Sequence, residues 1–117
     1  MDTSREARLS RAQGCLIGQL AGDNLGALVE FMNPPDISRK YPQGIHCMVD
    51  GGTWDILAGQ PTDDSEMALA LARTLAADAR YVKDHVLAAY VRWYDSHPFD
   101  CGNTVAAALR GIPNTDS

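Results

Sequence analysis

The apolar residues of this chain recur every three or four positions along four stretches, a spacing that places them on one face of an α-helix. These stretches cover residues 4–28, 62–79 and 82–96, and a short fourth one runs from 103 or 104 to about 111. No run alternates apolar and polar residues with the period of two that is typical of a half-buried strand. The sequence therefore predicts an all-α fold.

Four glycines lie on one face of the first predicted helix, for which Ser4 is a suitable N-cap. They stand four residues apart, at Gly14, Gly18, Gly22 and Gly26. Each lowers the helix propensity by up to roughly 1 kcal/mol relative to alanine. Polar residues between them exclude a membrane-embedded helix dimer. We therefore expect another segment to pack closely on this face.

Residues 32–61 contain a high density of glycine and proline, which predicts a long loop rather than a regular element. Loops of this length within compact domains are usually functional or disordered, and the apolar residues of this one argue against disorder. The predicted helix that follows, over residues 62–79, is nearly apolar all round. We expect that helix to be buried.

Length and charge limit the range of functions. With 117 residues, the chain can form one domain, or a piece of one, but hardly two. A net charge of −5 disfavours nonspecific binding to nucleic acid or to an anionic membrane surface. Three widely spaced cysteines suggest neither a disulfide framework nor a zinc site, and no run has the length of a membrane span. These features predict a cytoplasmic protein that binds a small ligand or another protein.

The segment Thr62-Asp63-Asp64-Ser65 lies where the long loop meets the second predicted helix. Two interpretations fit it. In the first, Thr62 is the N-cap, and Asp63 and Asp64 only complement the positive end of the helix dipole. In the second, carboxylate and hydroxyl oxygens form a site for a hard cation such as magnesium or manganese.

Two further polar groups flank this segment in the sequence. Asp23, at the end of the first helix, fits either a helix-end hydrogen-bonding residue or a catalytic one. Glu30, just beyond that helix, fits either a solvated loop carboxylate or a functional one. Asp100, Asn103 and Thr104 can each cap the last helix, and the glycine among them lets a ligand approach the backbone. Motifs of serine hydrolases, P-loop enzymes and Rossmann folds are absent from the sequence.

Four segments, taken in order, resemble the ADP-ribosylglycohydrolase family. They are GCLIGQLAGDNLGALVEF at residues 14–31, the Gly51-Gly52 and Trp54 markers, GQPTDDSEMALALA at 59–72 and PFDCGNT at 98–104. The resemblance runs from about residue 11 to residue 110 and is strongest to the bacterial glycohydrolases that activate dinitrogenase reductase. It implies an orthogonal helical bundle, of which residues 1–117 would form the N-terminal part of a single domain.

The resemblance also implies a function and a set of site residues. Members of the family hydrolyse the bond between ADP-ribose and a modified side chain, with two divalent cations, Mg²⁺ or Mn²⁺, as cofactors. Thr62, Asp63 and Asp64 correspond to metal ligands, and Asp63 and Glu30 would serve catalysis, with Glu30 either exchanging protons or gating the metal site. Asp100, Gly102 and Asn103 correspond to the segment that lines the ADP-ribose site. The expected partners are therefore ADP-ribose or an ADP-ribosylated protein.

The chain departs from the family pattern in length and in a few residues. Ser65, Cys101 and Val105 replace commoner family residues, and the chain ends at 117 without the C-terminal Asp-x-Asp-Ser/Thr motif that supplies further metal ligands in the family. A fragment, a natural split with a second chain supplying the C-terminal half, and an inactive truncated relative all fit this length. A non-catalytic ADP-ribose-binding or interaction module and a plain helical scaffold remain as alternative functions.

Overall fold

The structure, a computed structural model, describes residues 2–113. Five α-helices lie within them: α1 (Arg5–Ala27), α2 (Pro34–Lys40), α3 (Asp63–Asp78), α4 (Lys83–Asp95) and α5 (Asn103–Leu109). No strand occurs in this part of the chain, where one isolated bridge pairs Gly51 with Ile56. The predicted all-α class is therefore confirmed. The last four residues, 114–117, lie outside the described residues.

The chain divides into two compact units, Met1–Pro61 and Thr62–Ser117, called here the N-terminal unit and the C-terminal unit. The N-terminal unit contains α1 and α2, and the C-terminal unit contains α3, α4 and α5. None of the helices within residues 2–113 combines the length and the apolar character that crossing a membrane requires.

Helix α1 begins and ends as the sequence predicts, but its glycine face is open. The Ser4 hydroxyl accepts a hydrogen bond from the Ala7 N–H at 3.2 Å and caps the helix. A Cβ atom added at any of the four spaced glycines would have no described atom within 4 Å, so the expected close packing there is wrong. The reason is geometric: the buried residues of α1, Asn24 and Ala27, lie on the opposite face at 3.6 residues per turn.

Helix α2 corrects the prediction of an unbroken loop over residues 32–61. Asn33 caps this short helix, because its side-chain oxygen accepts from the Asp36 N–H at 3.0 Å. Pro34 occupies the first helical position, where a missing N–H costs no hydrogen bond. The cap residue Asn33 and Pro34 mark the start of this helix, but they lie in a segment otherwise dominated by glycine and proline.

The loop that follows α2 is held against the end of α1. Ile56 is the buried residue of this loop, with 5% of its surface exposed. Leu28, the residue after the end of α1, is 1% exposed. Two backbone hydrogen bonds of 2.8 and 3.0 Å join Gly51 and Ile56 and close a tight turn. The Thr53 N–H donates to the Ala27 carbonyl at 3.3 Å. This long loop is therefore an ordered part of the N-terminal unit.

In the C-terminal unit, α4 packs against α3 on one side and against α5 on the other. The bounds of α3 and α4 agree with the prediction to within one residue. The prediction that α3 is buried is wrong, because Ser65 is its one buried residue and Leu69 and Leu75 are 37% and 38% exposed. The physical reason is that, within this unit, α4 is the one helix that covers α3.

Gly52 provides a test of the contact between the turn and α1. A Cβ at this position would lie 2.8 Å from the Ala27 carbonyl oxygen and 2.9 Å from the Leu28 Cα, both backbone atoms. Gly51 also has a positive φ, but a Cβ there would meet nothing within 4 Å. We expect Gly52→Ala to lower the free energy of unfolding by roughly 1–3 kcal/mol more than Gly51→Ala does. Urea denaturation measures the difference, and equal effects of the two substitutions would contradict the close contact.

Candidate functional site

The start of α3 places three oxygen-bearing side chains side by side. Thr62 occupies the N-cap position and is 4% exposed, and its carbonyl accepts from the Glu66 N–H at 3.1 Å. Asp63, half-buried, and Asp64, exposed, are the first two residues of the helix. The positive end of the helix dipole stabilises carboxylates at these positions. Thr62 therefore occupies the N-cap position that the sequence predicts, although its side chain makes no capping hydrogen bond. This placement of the two aspartates is compatible with a cation site.

The carboxylate of Asp63 connects two of the motifs identified in the sequence. Its Oδ2 atom accepts a hydrogen bond from the backbone N–H of Gly102 at 3.0 Å, and its Oδ1 atom accepts from the Asp64 N–H at 3.1 Å. Both donors are backbone groups, so the orientation of the carboxylate is fixed by the main chain. The contact brings residues 98–104 to the start of α3, across 39 positions of sequence.

Residues 100–103 precede and begin α5 at this contact. Gly102 is the N-cap of α5, so the prediction that Asp100, Asn103 or Thr104 caps this helix is wrong. The reason is the turn geometry: the backbone at Gly102 has φ −56° and ψ 140°, and Asn103 is already helical. Asp100 is half-buried, whereas Gly102 and Asn103 are exposed and accessible to a ligand.

The pKa of the Cys101 thiol depends on the charges around it. Burial raises the pKa of its thiol, and the negative charges of Asp63 and Asp100 raise that pKa further. The thiol therefore stays protonated at neutral pH and adds no charge of its own. Both carboxylates thus lie close enough to Cys101 to act on the pKa of its thiol.

The donor atoms at the start of α3 match a magnesium or manganese ion in kind but not in number. Hydroxyl and carboxylate oxygens are the ligands that these hard cations prefer, and about six are needed. Thr62, Asp63 and Asp64 supply three such side chains. No group of three or more His, Cys, Asp or Glu side chains arranged to hold a metal ion occurs within residues 2–113. The three residues therefore fit part of a metal site.

Glu30 belongs to the N-terminal unit, just beyond the end of α1. It is half-buried, and its Oε2 atom accepts a hydrogen bond from the indole N–H of Trp54 at 2.6 Å. The interpretation of Glu30 as a simply solvated carboxylate is therefore wrong, because a specific donor holds it. Asp23 lies half-buried in the last turns of α1.

Asn24 is a structural residue that the sequence analysis missed. It is 1% exposed, its Nδ2 atom donates to the Gln60 carbonyl at 2.7 Å, and its Oδ1 atom accepts from the Gly59 N–H at 3.1 Å. These two bonds fix the segment that leads directly into Thr62. An asparagine in a helix interior is unfavourable unless its side chain has such a role, which was the available signal.

A groove of the C-terminal unit lies away from these residues. It has a volume of about 920 Å³ and runs between α3 and α4, with Leu69, Ala88 and Trp93 among its lining residues. None of the site residues predicted from the sequence lines it. Within the C-terminal unit, the hydrogen bond between Asp63 and Gly102 instead joins the segment at the start of α3 to the segment before α5, whereas Glu30 belongs to the N-terminal unit.

The sequence profile of ADP-ribosylglycohydrolases matches residues 4–116. The chain belongs to the ADP-ribosylglycohydrolase family. It is 43% identical over 101 residues to the ADP-ribosyl-[dinitrogen reductase] glycohydrolase of Rhodospirillum rubrum, covering 86% of this chain and 34% of that protein. The all-helical structure is consistent with the helical fold of the family.

Two other relatives show the same pattern of coverage. The ADP-ribosylarginine hydrolase Tri1 of Pseudomonas putida (strain GB-1) is 37% identical over 113 residues, which are 91% of this chain and 29% of the relative. The putative ADP-ribosyl glycohydrolase L543 of Acanthamoeba polyphaga mimivirus is 35% identical over 103 residues, which are 85% of this chain and 31% of the relative. The chain thus spans about a third of the length of the curated relatives it matches.

Replacing Asn24 tests how the segment before Thr62 is held. Asn24→Ala removes the two hydrogen bonds that this buried side chain makes with the Gln60 carbonyl and the Gly59 N–H, so we expect a loss of roughly 1–3 kcal/mol in the free energy of unfolding. Gln13→Ala, at an exposed position of the same helix, is the control and should change it by less than about 0.5 kcal/mol. Urea denaturation of both variants decides, and a neutral Asn24→Ala would refute the anchoring role.

Proposed function

We propose that this chain carries part of the active site of an enzyme that hydrolyses the glycosidic bond between ADP-ribose and a modified protein side chain, with an arginine linkage favoured. Family membership and the printed functions of two relatives, one acting on dinitrogen reductase and one on ADP-ribosylarginine, support the proposal. The observation that carries it is the hydrogen bond between Asp63 and Gly102, which joins the proposed metal-binding and ADP-ribose-binding segments.

Thr62, Asp63 and Asp64 would hold two divalent cations, Mg²⁺ or Mn²⁺, together with ligands from the part of the family domain that this chain does not span. When bound, such ions would hold the ribose hydroxyls and orient a water molecule. The fit of the donor oxygens to hard cations supports this assignment. The main-chain donors at Asp63 would preserve the direction of its carboxylate while a ligand enters.

The remaining residues have roles toward the substrate in this proposal. Asp100, Gly102 and Asn103 would line the ADP-ribose site, and the exposed backbone of Gly102 would allow a phosphate or ribose group to approach closely. Glu30 would exchange protons during hydrolysis, and the hydrogen bond that holds its carboxylate supports a fixed position for that task. The three free cysteines favour a reducing, cytoplasmic location.

A non-catalytic ADP-ribose-binding module is the alternative function. Its support is the number of metal ligands, because the three at the start of α3 fall short of the six that a hard cation prefers. An assay of the complete family domain, as one chain or with a second chain, distinguishes the two functions. An enzyme hydrolyses ADP-ribosylated arginine, whereas a binding module retains ADP-ribose without turnover.

Neutralising Asp63 in the complete domain tests the metal assignment. Asp63→Asn keeps the size of the side chain and an acceptor for Gly102 but removes the charge. We expect hydrolysis of ADP-ribosylated arginine to fall at least about 100-fold, because bound metals supply several kcal/mol of charge stabilisation. Asp64→Asn should behave alike, and Mn²⁺ affinity by titration calorimetry should fall in both variants.

The matched control for these variants is Asp84→Asn. Asp84 is an exposed carboxylate in the first turn of α4, so it complements a helix dipole as Asp63 does but lies outside the motif. We expect the Asp84→Asn variant to hydrolyse the substrate at a rate within about twofold of that of the unmodified protein. Full activity in Asp63→Asn, or an equal loss in Asp84→Asn, would remove the metal assignment.

Gly102→Ala tests the approach of ADP-ribose to the backbone. An added Cβ would have Asp63 Oδ2 as its nearest neighbour at 3.8 Å, an ordinary contact, so we expect the stability to change by less than about 0.5 kcal/mol. The Kd for ADP-ribose in the complete domain should rise roughly tenfold, because the methyl group would occupy ligand space. Gly14→Ala, which meets no described atom, is the control. An unchanged Kd in Gly102→Ala would place the ligand elsewhere.

A further inference from the structure

Both tryptophans of this chain donate their indole N–H to a glutamate carboxylate. Trp54 donates to Glu30 at 2.6 Å in the N-terminal unit, and Trp93 donates to Glu66 at 2.7 Å in the C-terminal unit. The second pair joins two packed helices, α3 and α4. The first pair is different, because its tryptophan comes from a loop and its glutamate is one that the proposed function uses.

The loop that carries Trp54 is built to hold it in place. The bridge between Gly51 and Ile56 closes the turn on both sides of Trp54, and Ile56 is buried. Gly52 lies so close to the end of α1 that a Cβ there would overlap backbone atoms of residues 27 and 28. The position of the indole relative to the end of α1 is therefore fixed by backbone contacts on both sides.

The same turn contacts Glu30 at two points. The Thr53 hydroxyl donates to the backbone carbonyl of Glu30, and the Trp54 indole donates to its side-chain carboxylate. One contact fixes the main chain of Glu30 and the other fixes Oε2. Together they determine where the second carboxylate oxygen, Oε1, lies.

Phe31, the next residue, has an unusual conformation beside this contact. Its φ is 62°, in the left-handed region that L residues other than glycine rarely adopt, and its side chain is 82% exposed. The Phe31 and Trp54 rings meet edge to face, with centroids 6.3 Å apart. Backbone strain beside an exposed aromatic ring is a feature that clusters at functional sites. This supports a role for the Glu30 turn beyond the stability of the fold.

We propose that Trp54 is a positioning residue for the proton exchange by Glu30, an inference that rests on the proposed function. An indole N–H is a donor and never an acceptor, so the oxygen it contacts, Oε2, is engaged as an acceptor. This bond occupies one lone pair of Oε2 and withdraws electron density from it, which leaves Oε1 as the more basic oxygen for the proton that Glu30 exchanges. Trp54 thus favours one oxygen for the exchange and sets the direction in which that oxygen points.

The test compares Trp54→Phe with the matched control Trp93→Phe in the complete domain. Each substitution keeps an aromatic ring and removes one indole donor to a glutamate. We expect kcat for hydrolysis of ADP-ribosylated arginine to fall roughly 10- to 100-fold in Trp54→Phe, with KM within about twofold, because the misplaced group acts on the chemical step. In Trp93→Phe we expect a lower unfolding midpoint and an unchanged kcat. Equal losses of kcat in the two variants would overturn the proposal.

A double-substitution cycle separates positioning from a structural effect. In a Glu30→Gln background, Trp54→Phe should cause no further fall in kcat, since the group that Trp54 positions is already gone. A further fall as large as in the unmodified background overturns the proposal. The indole ¹⁵N–¹H signals report the contact without activity, and Glu30→Gln should shift the signal of Trp54 but not that of Trp93.

The outcomes also separate this inference from the proposed function. A complete domain that binds its metals but hydrolyses no ADP-ribosylated substrate overturns the proposed function and the role of Trp54 with it. An active domain in which Trp54→Phe retains full kcat overturns the role of Trp54 alone. A Trp54 indole signal that does not respond to Glu30→Gln shows that the contact itself is absent and likewise overturns the inference.

Discussion

The hydrogen bond from the Gly102 N–H to the Asp63 carboxylate is the interaction on which the candidate site depends. Residues 98–102 lack helical structure between α4 and α5, so their backbone groups need partners from outside their own segment. Asp63 supplies one such partner and receives in return a fixed orientation. Both carboxylate oxygens of Asp63 accept from backbone N–H groups, and its charge complements the positive end of the α3 dipole. A bound divalent cation is the further role that we propose for this charge.

The N-terminal unit solves a related problem with polar side chains. Its loop has little regular structure, and the Gly59 N–H and the Gln60 carbonyl are paired by a side chain of α1 rather than by the loop itself. Asn24 satisfies both groups with a single amide, which neither alanine nor leucine could do. The turn at 51–56 packs on the end of α1, and its tryptophan donates a hydrogen bond to Glu30. Polar contacts within this unit thus position a residue of the proposed mechanism.

The helices could be predicted because their signals are local. Apolar periodicity and cap residues gave α1, α3, α4 and α5 to within one or two residues. Helix α2 was missed because its seven residues carry too short a pattern to outweigh the surrounding prolines and glycines. The prediction that α3 is buried was wrong because periodicity shows which face of a helix is apolar but not how many helices cover it. The glycine face of α1 is open for a different reason, since the buried residues Asn24 and Ala27 lie on the opposite face of that helix.

The site could be predicted only where its residues are contiguous. Thr62, Asp63 and Asp64 are neighbours in sequence, so a cap signal and a cation-site signal coincide there. The contacts from Asp63 to Gly102 and from Glu30 to Trp54 span 39 and 24 positions, and no spacing rule connects residues so far apart. The resemblance to the family selected all of these segments, but it did not say which atoms meet.

The charge at the start of α3 links these contacts to the proposed cations. The helix dipole favours carboxylates there, and the pKa of Cys101 is raised first by burial of its thiol and then by the negative charges of Asp63 and Asp100. The backbone N–H groups of Asp64 and Gly102 offset part of that charge at Asp63. In our proposal, a divalent cation would gain Coulomb energy from the Asp63 carboxylate. Because backbone N–H groups already hold this carboxylate, binding the cation would need little rearrangement of the side chain.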